Sequence, residues 1–418
     1  MLKGGSLIFA LIISLLVALI SSSFIMLSFH DNLETESRMK LRKLRMNVES
    51  GLTLLLSQQL IINPDQTVTM DLFGEGSDSV TLSRKSWGAF EIISSKAFGS
   101  GDFLEKRAIA GFEDERDTAL ALVLSDLDRP LSLCGKTILK GTCYVPKAGF
   151  QRAYIEGKNF EGLSFVTGTT MTSTRDLPRF NKDLYESLLK GFSPTSYEDS
   201  LVSYDESGIP DSADNSFLHK TLCYFSETVM VLQGQMLSGN IRIISQREIR
   251  VGKDCRLKDI ILFAPKIIFE KGFEGSVQAF ACDSLFAGDE TKFMYPSVLG
   301  VIRAPRSSDG ILLSLGEKTI VQGSVFGYED KYDARKQVIL SLGVGSEITG
   351  SVYCQGSLDL KGSVYGTVMC SKFLLKTRSA VYENHLLDAT IDRSRRPKEF
   401  PMANITMEDQ PKKIMKWL

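Results

Sequence analysis

Apolar residues run without a charge or a proline from Ser6 to Phe29, SLIFALIISLLVALISSSFIMLSF. At about 1.5 Å per residue this makes a helix of roughly 36 Å, enough to cross a hydrocarbon core of about 30 Å. The period then changes. Leu33, Leu41, Leu44, Val48, Leu52, Leu55 and Leu56 recur at three- and four-residue steps among charges. That spacing predicts an amphipathic helix over 31–62, continuous with an anchor over 1–30. Asn63-Pro64-Asp65 ends it, because proline removes a backbone donor. Between 66 and 128 the pattern turns to short alternating runs: Thr67 to Leu72, Val80 to Leu82, Trp87 to Ile93, Ala108 to Phe112 and Ala119 to Leu124. Turn residues separate them, which predicts a small antiparallel β region.

Beyond Pro130 the strands become shorter and glycine punctuates them. Ile311 to Phe326, ILLSLGEKTIVQGSVF, aligns without a gap to Val338 to Tyr353, VILSLGVGSEITGSVY, 27 residues later. Gly-Ser-Val recurs at Gly275-Ser276-Val277 and Gly362-Ser363-Val364, at uneven intervals. Self-similar short strands separated by glycine predict a β-solenoid over 130–376. Glycine allows each corner a backbone conformation that a Cβ resists, and the uneven spacing fits a right-handed β-helix with loops of varying length. A β-sandwich with coincidental turns is the alternative. Residues 167–215, rich in Thr, Ser, Pro and Asp, read as an irregular excursion with one helix near Phe180 to Leu189. After Thr377 the repeats stop. Arg393 to Lys398 and Pro411 to Leu418 are basic, so 377–418 reads as a cap or tail. The expected fold is mainly β: a transmembrane helix running into a helical spine, a small antiparallel region, then a right-handed solenoid.

Two readings of the first stretch compete. A cleaved signal would use Lys3, the run Leu7 to Ile20 and the small residues Ser21-Ser22-Ser23. The apolar run continues to Phe29, which favours a retained anchor in the lipid bilayer. Lys and Arg count higher after the anchor, at Arg38, Lys40, Arg42, Lys43 and Arg45, which by the positive-inside rule puts the bulk in the cytoplasm.

Lys3-Gly4 followed by a long apolar helix that becomes amphipathic resembles the type IV pilins and pseudopilins. The resemblance covers about the first 60 residues. It implies a prepilin-type cut after Gly4, a mature chain starting at Gly5, and a single-pass protein of the bacterial inner membrane with its bulk in the periplasm. The family's usual glutamate, five residues into the mature chain, is here Phe9. One kind of minor pilin, proposed to sit at a filament tip, shares that departure. Ser346 to Phe373, SEITGSVYCQGSLDLKGSVYGTVMCSKF, resembles the bactofilins, bacterial polymer-forming β-helix proteins.

Candidate chemistry adds little. The 418-residue chain has a net charge of -1, which argues against a nucleic-acid surface spread over its length. His30, His219 and His385 are far apart, so a histidine metal site is not expected. Seven cysteines is an odd number and none forms a CxxC. Cys134 and Cys143 flank a turn and are the candidate disulfide in an oxidising compartment, and Cys354 and Cys370 are placed to stack on adjacent rungs. No Walker loop, dinucleotide fingerprint or GxSxG elbow is present. The candidate acid pairs are Asp126 with Asp128, and Glu329, Asp330 and Asp333 with Lys331.

These features predict a structural or assembly protein of the bacterial envelope, a minor pilin-like or secretion-apparatus subunit. No cofactor, catalytic residue or nucleic acid is expected. Its partners would be the bilayer and further copies or other envelope proteins. The alternative is a membrane-tethered carbohydrate-active enzyme or a carbohydrate-binding adhesin.

Overall fold

The computed structural model describes residues 5–418 except 58, 59, 61, 64, 75, 77, 100, 113–118, 195–200, 204–207, 304–309, 331–336 and 407–410. The chain is mainly β behind one long helix and divides into two units. The first comprises Met1–Arg84 and Ile93–Arg107, the second Lys85–Ile92 and Ala108–Leu418.

In the first unit, helix α1 (Gly5–Leu56) is unbroken for 52 residues. Its last turns bury Leu44, Val48, Leu52 and Leu55, one apolar stripe at helical spacing. Gly51 sits where the helix comes closest to the sheet. A Cβ there would stand 2.4 Å from Ser95 Oγ and 2.6 Å from Leu82 Cδ2. Strand β1 (Thr67–Met70) pairs antiparallel with β2 (Asp78–Trp87), and β3 (Phe90–Gly99) and β4 (Asp102–Phe112) follow in order. Strands β2, β3 and β4 contribute residues to both units. Lys43 pairs with Asp78 at 2.9 Å, tying the helix to β2.

In the second unit, residues Ala108 to Phe112 of β4 pair antiparallel with Lys412–Trp417 at the end of the chain. The basic tail that reads from sequence as a cap or loose end is therefore partly a sheet strand. Lys412 is buried on it, 2.7 Å from Glu91. Everything from 113 to 411 lies, in sequence, between those two paired segments.

That inserted chain forms a closed sheet of parallel strands. One register ladder runs Tyr224, Ile243, Leu262, Ala279, Leu299, Val325, Val352 and Val368, each paired in parallel with the next. It does not stop at the end of the repeats. Val368 pairs with Leu122 of β5 (Leu120–Leu124), and Leu122 pairs with Cys143. Sequence reading puts 119–124 with the antiparallel strands, but β5 belongs to the parallel sheet. Its apolar residues fill the place above Val368.

A second row links Ile267, Leu285, Leu313, Leu340, Leu358 and Phe373. A third links Leu257, Leu237 and Ala213 on one side, and Ile348, Val364, Ile391 and Leu139 on the other. Residues pointing inward from all three rows make one apolar core. Burying each such side chain is worth about 1.5–3 kcal/mol.

The outer face of the first row is also apolar. Phe263, Phe280, Phe326 and Tyr353 lie under helix α2 (Lys182–Gly191) and beside Trp87 and Phe90. Asn181 caps α2, accepting from the backbone N–H of Asp183 and Leu184. Within the excursion, Thr170–Thr172, Leu201–Ser203 and Ser212–Asn215 are strands of the parallel sheet.

Corners carry the glycines. Gly323, Gly350 and Gly366 align in register with φ of 146, 141 and 156. A Cβ on Gly350 would fall 1.8 Å from the Gly323 carbonyl oxygen, so only glycine lets successive strands approach here.

Candidate functional site

Helix α1 is the one described helix long and apolar enough to cross a membrane. Its most apolar window has a mean hydropathy of 2.7, and none of it is buried. Leu7, Ile8, Phe9, Leu11 and Leu15 all stand bare. Two serines inside the run stay neutral to a bilayer. Ser14 and Ser23 donate their hydroxyls to the carbonyls of Leu11 and Leu19, each at 2.9 Å, so neither presents a free polar group. Past the apolar run, Glu34 with Arg38 and Glu36 with Lys40 make i,i+4 pairs that stabilise an isolated helix modestly.

Gly5 opens the helix with nothing within 4 Å of the position a Cβ would take. Gly4 lies outside the described residues. Phe9, where pilins usually carry glutamate, is exposed on the helix.

The cysteines are all free thiols. Cys134 and Cys143, the disulfide candidate, do not bridge. They belong to different clusters: Cys134 packs with Ile155 and Leu375, and Cys143 lies in the main core. Cys134 donates to the Lys158 carbonyl at 3.1 Å. Burial pushes the Cys143 thiol up to about 12 and raises that of Cys134. Cys354 and Cys370 are register partners on neighbouring strands, fully buried, with thiols raised by burial. These four thiols are small apolar fillers in chemical terms.

Each described candidate acid has its own surroundings. Buried Asp126 accepts from the backbone N–H of Asp128 at 3.1 Å and of Lys147 at 3.3 Å, which shapes a turn. Asp128 is exposed and pairs with Arg175 at 3.0 Å. Glu329 is fully buried against Arg303 at 3.1 Å, while Asp330 beside it is exposed. Lys331 and Asp333 lie outside the described residues. Among the described residues no cluster of His, Cys, Asp or Glu could hold a metal ion.

Sequence reading does not single out the concavity around Arg256 and Lys258. The alternation Arg256-Leu257-Lys258 signals only a half-buried strand.

No family model matches the chain, and no curated protein does. Among solved structures, the chain is similar to the competence-associated pilin ComZ from Thermus thermophilus, at 10% identity over 86% of this chain and 87% of that one, with a TM-score of 0.23.

Proposed function

We propose that this chain is a membrane-anchored structural subunit of a bacterial envelope assembly, pilin-like at its front and without turnover of its own. The observation that carries the reading is the division of labour along α1. Its last turns pack on the sheet of their own unit, while its first half is apolar and bare. A helix built this way has its second half committed to its own fold and its first half available for lipid or for equivalent helices of neighbouring subunits.

In this reading the inserted parallel sheet is a β-helix. Serial parallel pairing supports this, with each strand bonded to a strand one coil away on three rows of register. A sandwich would place two separate sheets face to face. The right-handed sense follows the crossover preference of parallel strands. The inner membrane and a periplasmic bulk follow from Lys3-Gly4 and the apolar run that resemble a prepilin leader.

Co-expression with a prepilin peptidase tests the pilin-like part. Intact-mass measurement is expected to show loss of residues 1–4, with the remaining chain in the membrane fraction. A chain that keeps its first four residues overturns it. A chain cut near Ser23 and released from the membrane overturns the anchor as well.

A further inference from the structure

On the outer face of the third row, at the end of the sheet that begins with Ser212–Asn215, lies an open concavity of about 530 Å³. Register builds it. Asp214, Ser238, Lys258 and Ser276 lie side by side on successive strands, and Met236 and Arg256 lie in register beside them. Neighbouring strands stand about 4.8 Å apart, so these side chains form a stepped row across four strands. One wall is Ser212 to Asp214. The other is a bulge. More residues separate Phe293 from Ser297 than separate their partners Val321 and Gly323, so Met294 and Tyr295 stand out from the row. The Tyr295 hydroxyl donates to the Pro401 carbonyl at 2.9 Å, and its ring lies 4.6 Å from that of Phe400, which fixes the wall.

The charges in the concavity are unequal in their commitments. Asp214 accepts from the Ser238 hydroxyl. Glu274 pairs with Lys292 at 3.5 Å. Arg256 and Lys258 point from the same side of one strand and are exposed, and among the described residues neither head group has a hydrogen-bond or ion-pair partner. Several other cations of this unit are paired: Lys266 with Glu248, Lys361 with Asp359, Lys416 with Asp259. A guanidinium fork next to an ammonium takes a carboxylate or a phosphate well. The flanking serines and carboxylates suit the hydroxyls of a polyol, and the thioether and ring of Met294 and Tyr295 suit its C–H faces.

We infer that this trough binds an anionic saccharide, a short sugar chain bearing a carboxylate or phosphate, with Arg256 and Lys258 holding the anion. Asp214 and Ser238 meet ring hydroxyls, while Ser276, buried and accepting from the Asp259 N–H at 3.0 Å, closes the floor. The site is a binding site without turnover, and it stands independently of the anchor.

The test uses the full chain in detergent micelles and calorimetric titration with trigalacturonate, with maltotriose and inorganic phosphate as separate arms. Trigalacturonate is expected to bind. Arg256→Ala and Lys258→Ala each weaken it at least tenfold with unchanged thermal melting, since both side chains are exposed. Lys253→Ala, an exposed lysine outside the trough, leaves binding unchanged. Maltotriose binds at least tenfold more weakly. Phosphate competes, but less well than the oligosaccharide. Absence of trigalacturonate binding overturns the inference, as does equal binding by wild type and both alanine variants. Phosphate competing as well as the trisaccharide overturns the saccharide part.

Discussion

Thr367 donates its hydroxyl to the Leu120 carbonyl at 2.8 Å across 247 residues of sequence, and beside it Val368 lies in parallel register with Leu122. The chain therefore enters its parallel sheet in the middle of the stack. It climbs from Leu122 to Thr170, and beyond α2 it climbs again from Leu201 at the far end of the ladder to meet its own entry point. The level at the join is made by both ends of the insertion, β5 from one and Thr390–Asp392 from the other. Its edges are thereby covered on both sides, where a simple coil would leave a terminal strand open at Leu122.

Leu122→Ala removes a fully buried side chain from the join. The expected cost is about 2–5 kcal/mol, read from the denaturant midpoint of the chain in micelles. Leu163→Ala, at a fully exposed position, is expected to stay within about 0.5 kcal/mol of wild type.

Gly350→Ala forces a Cβ into the Gly323 carbonyl at a φ of 141. The expected loss is about 2 kcal/mol or more. Gly74→Ala, at a φ of 70 with nothing within 4 Å, is expected to cost only the backbone strain, about 1 kcal/mol. Equal losses at the two positions would show that the close approach of the strands is not what matters.

Asp388 lies at the same join. Burial opposes its charge, but the Lys158 ammonium at 2.5 Å and the Lys136 N–H at 2.9 Å hold its carboxyl below the usual carboxylate range. A lowered folded-state value means the stabilisation is present above about pH 4 and is lost as pH falls through the folded value below that. Asp388→Asn is thus expected to destabilise the chain at pH 7, with the difference from wild type shrinking as pH falls below about 4. A difference that stays constant from pH 7 to pH 3 would remove the ion pair from the account.

Native thiols are expected to resist modification. Burial pushes Cys223 and Cys282 up to about 12, and Cys354 and Cys370 are sealed in the core. A maleimide at pH 7.5 should leave Cys223, Cys354 and Cys370 unlabelled in the folded chain and label them all in denaturant. Rapid labelling of Cys354 in the folded chain would contradict the closed core.

Much of this fold is legible in particular residues. The apolar run to Phe29 and the stripe from Leu44 to Leu55 mark α1 by period alone. The match of Gly323-Ser324-Val325 with Gly350-Ser351-Val352 is a true register, because both glycines turn the same corner. The step at Gly362-Ser363-Val364 misleads. Val364 aligns with Ile348, and it is Gly366-Thr367-Val368 that continues the ladder. A corner needs a positive φ, which any nearby glycine can supply, so the motif does not fix which one does. Nothing in β5 marks it as a middle level, since Ala121, Leu122 and Leu124 suit any half-buried strand. The pairing of Lys412–Trp417 with β4 is equally hidden, because Lys412 looks like a solvated charge until Glu91 lies beside it. The trough is hidden in the sequence for the same reason: Arg256 and Lys258 become neighbours of Ser276 and Asp214 only through register.

The join can be tested by one covalent measurement. Val123 and Met369 are parallel register partners whose side chains are half-buried on the outer face. Adjacent strands put such Cα atoms within the range a disulfide spans. The double variant Val123→Cys with Met369→Cys, oxidised while folded and mapped by mass spectrometry, is expected to give a bond between those two positions in most molecules. Formation of no such bond, in a chain that retains its native melting transition, would contradict a sheet in which β5 continues the ladder beyond Val368.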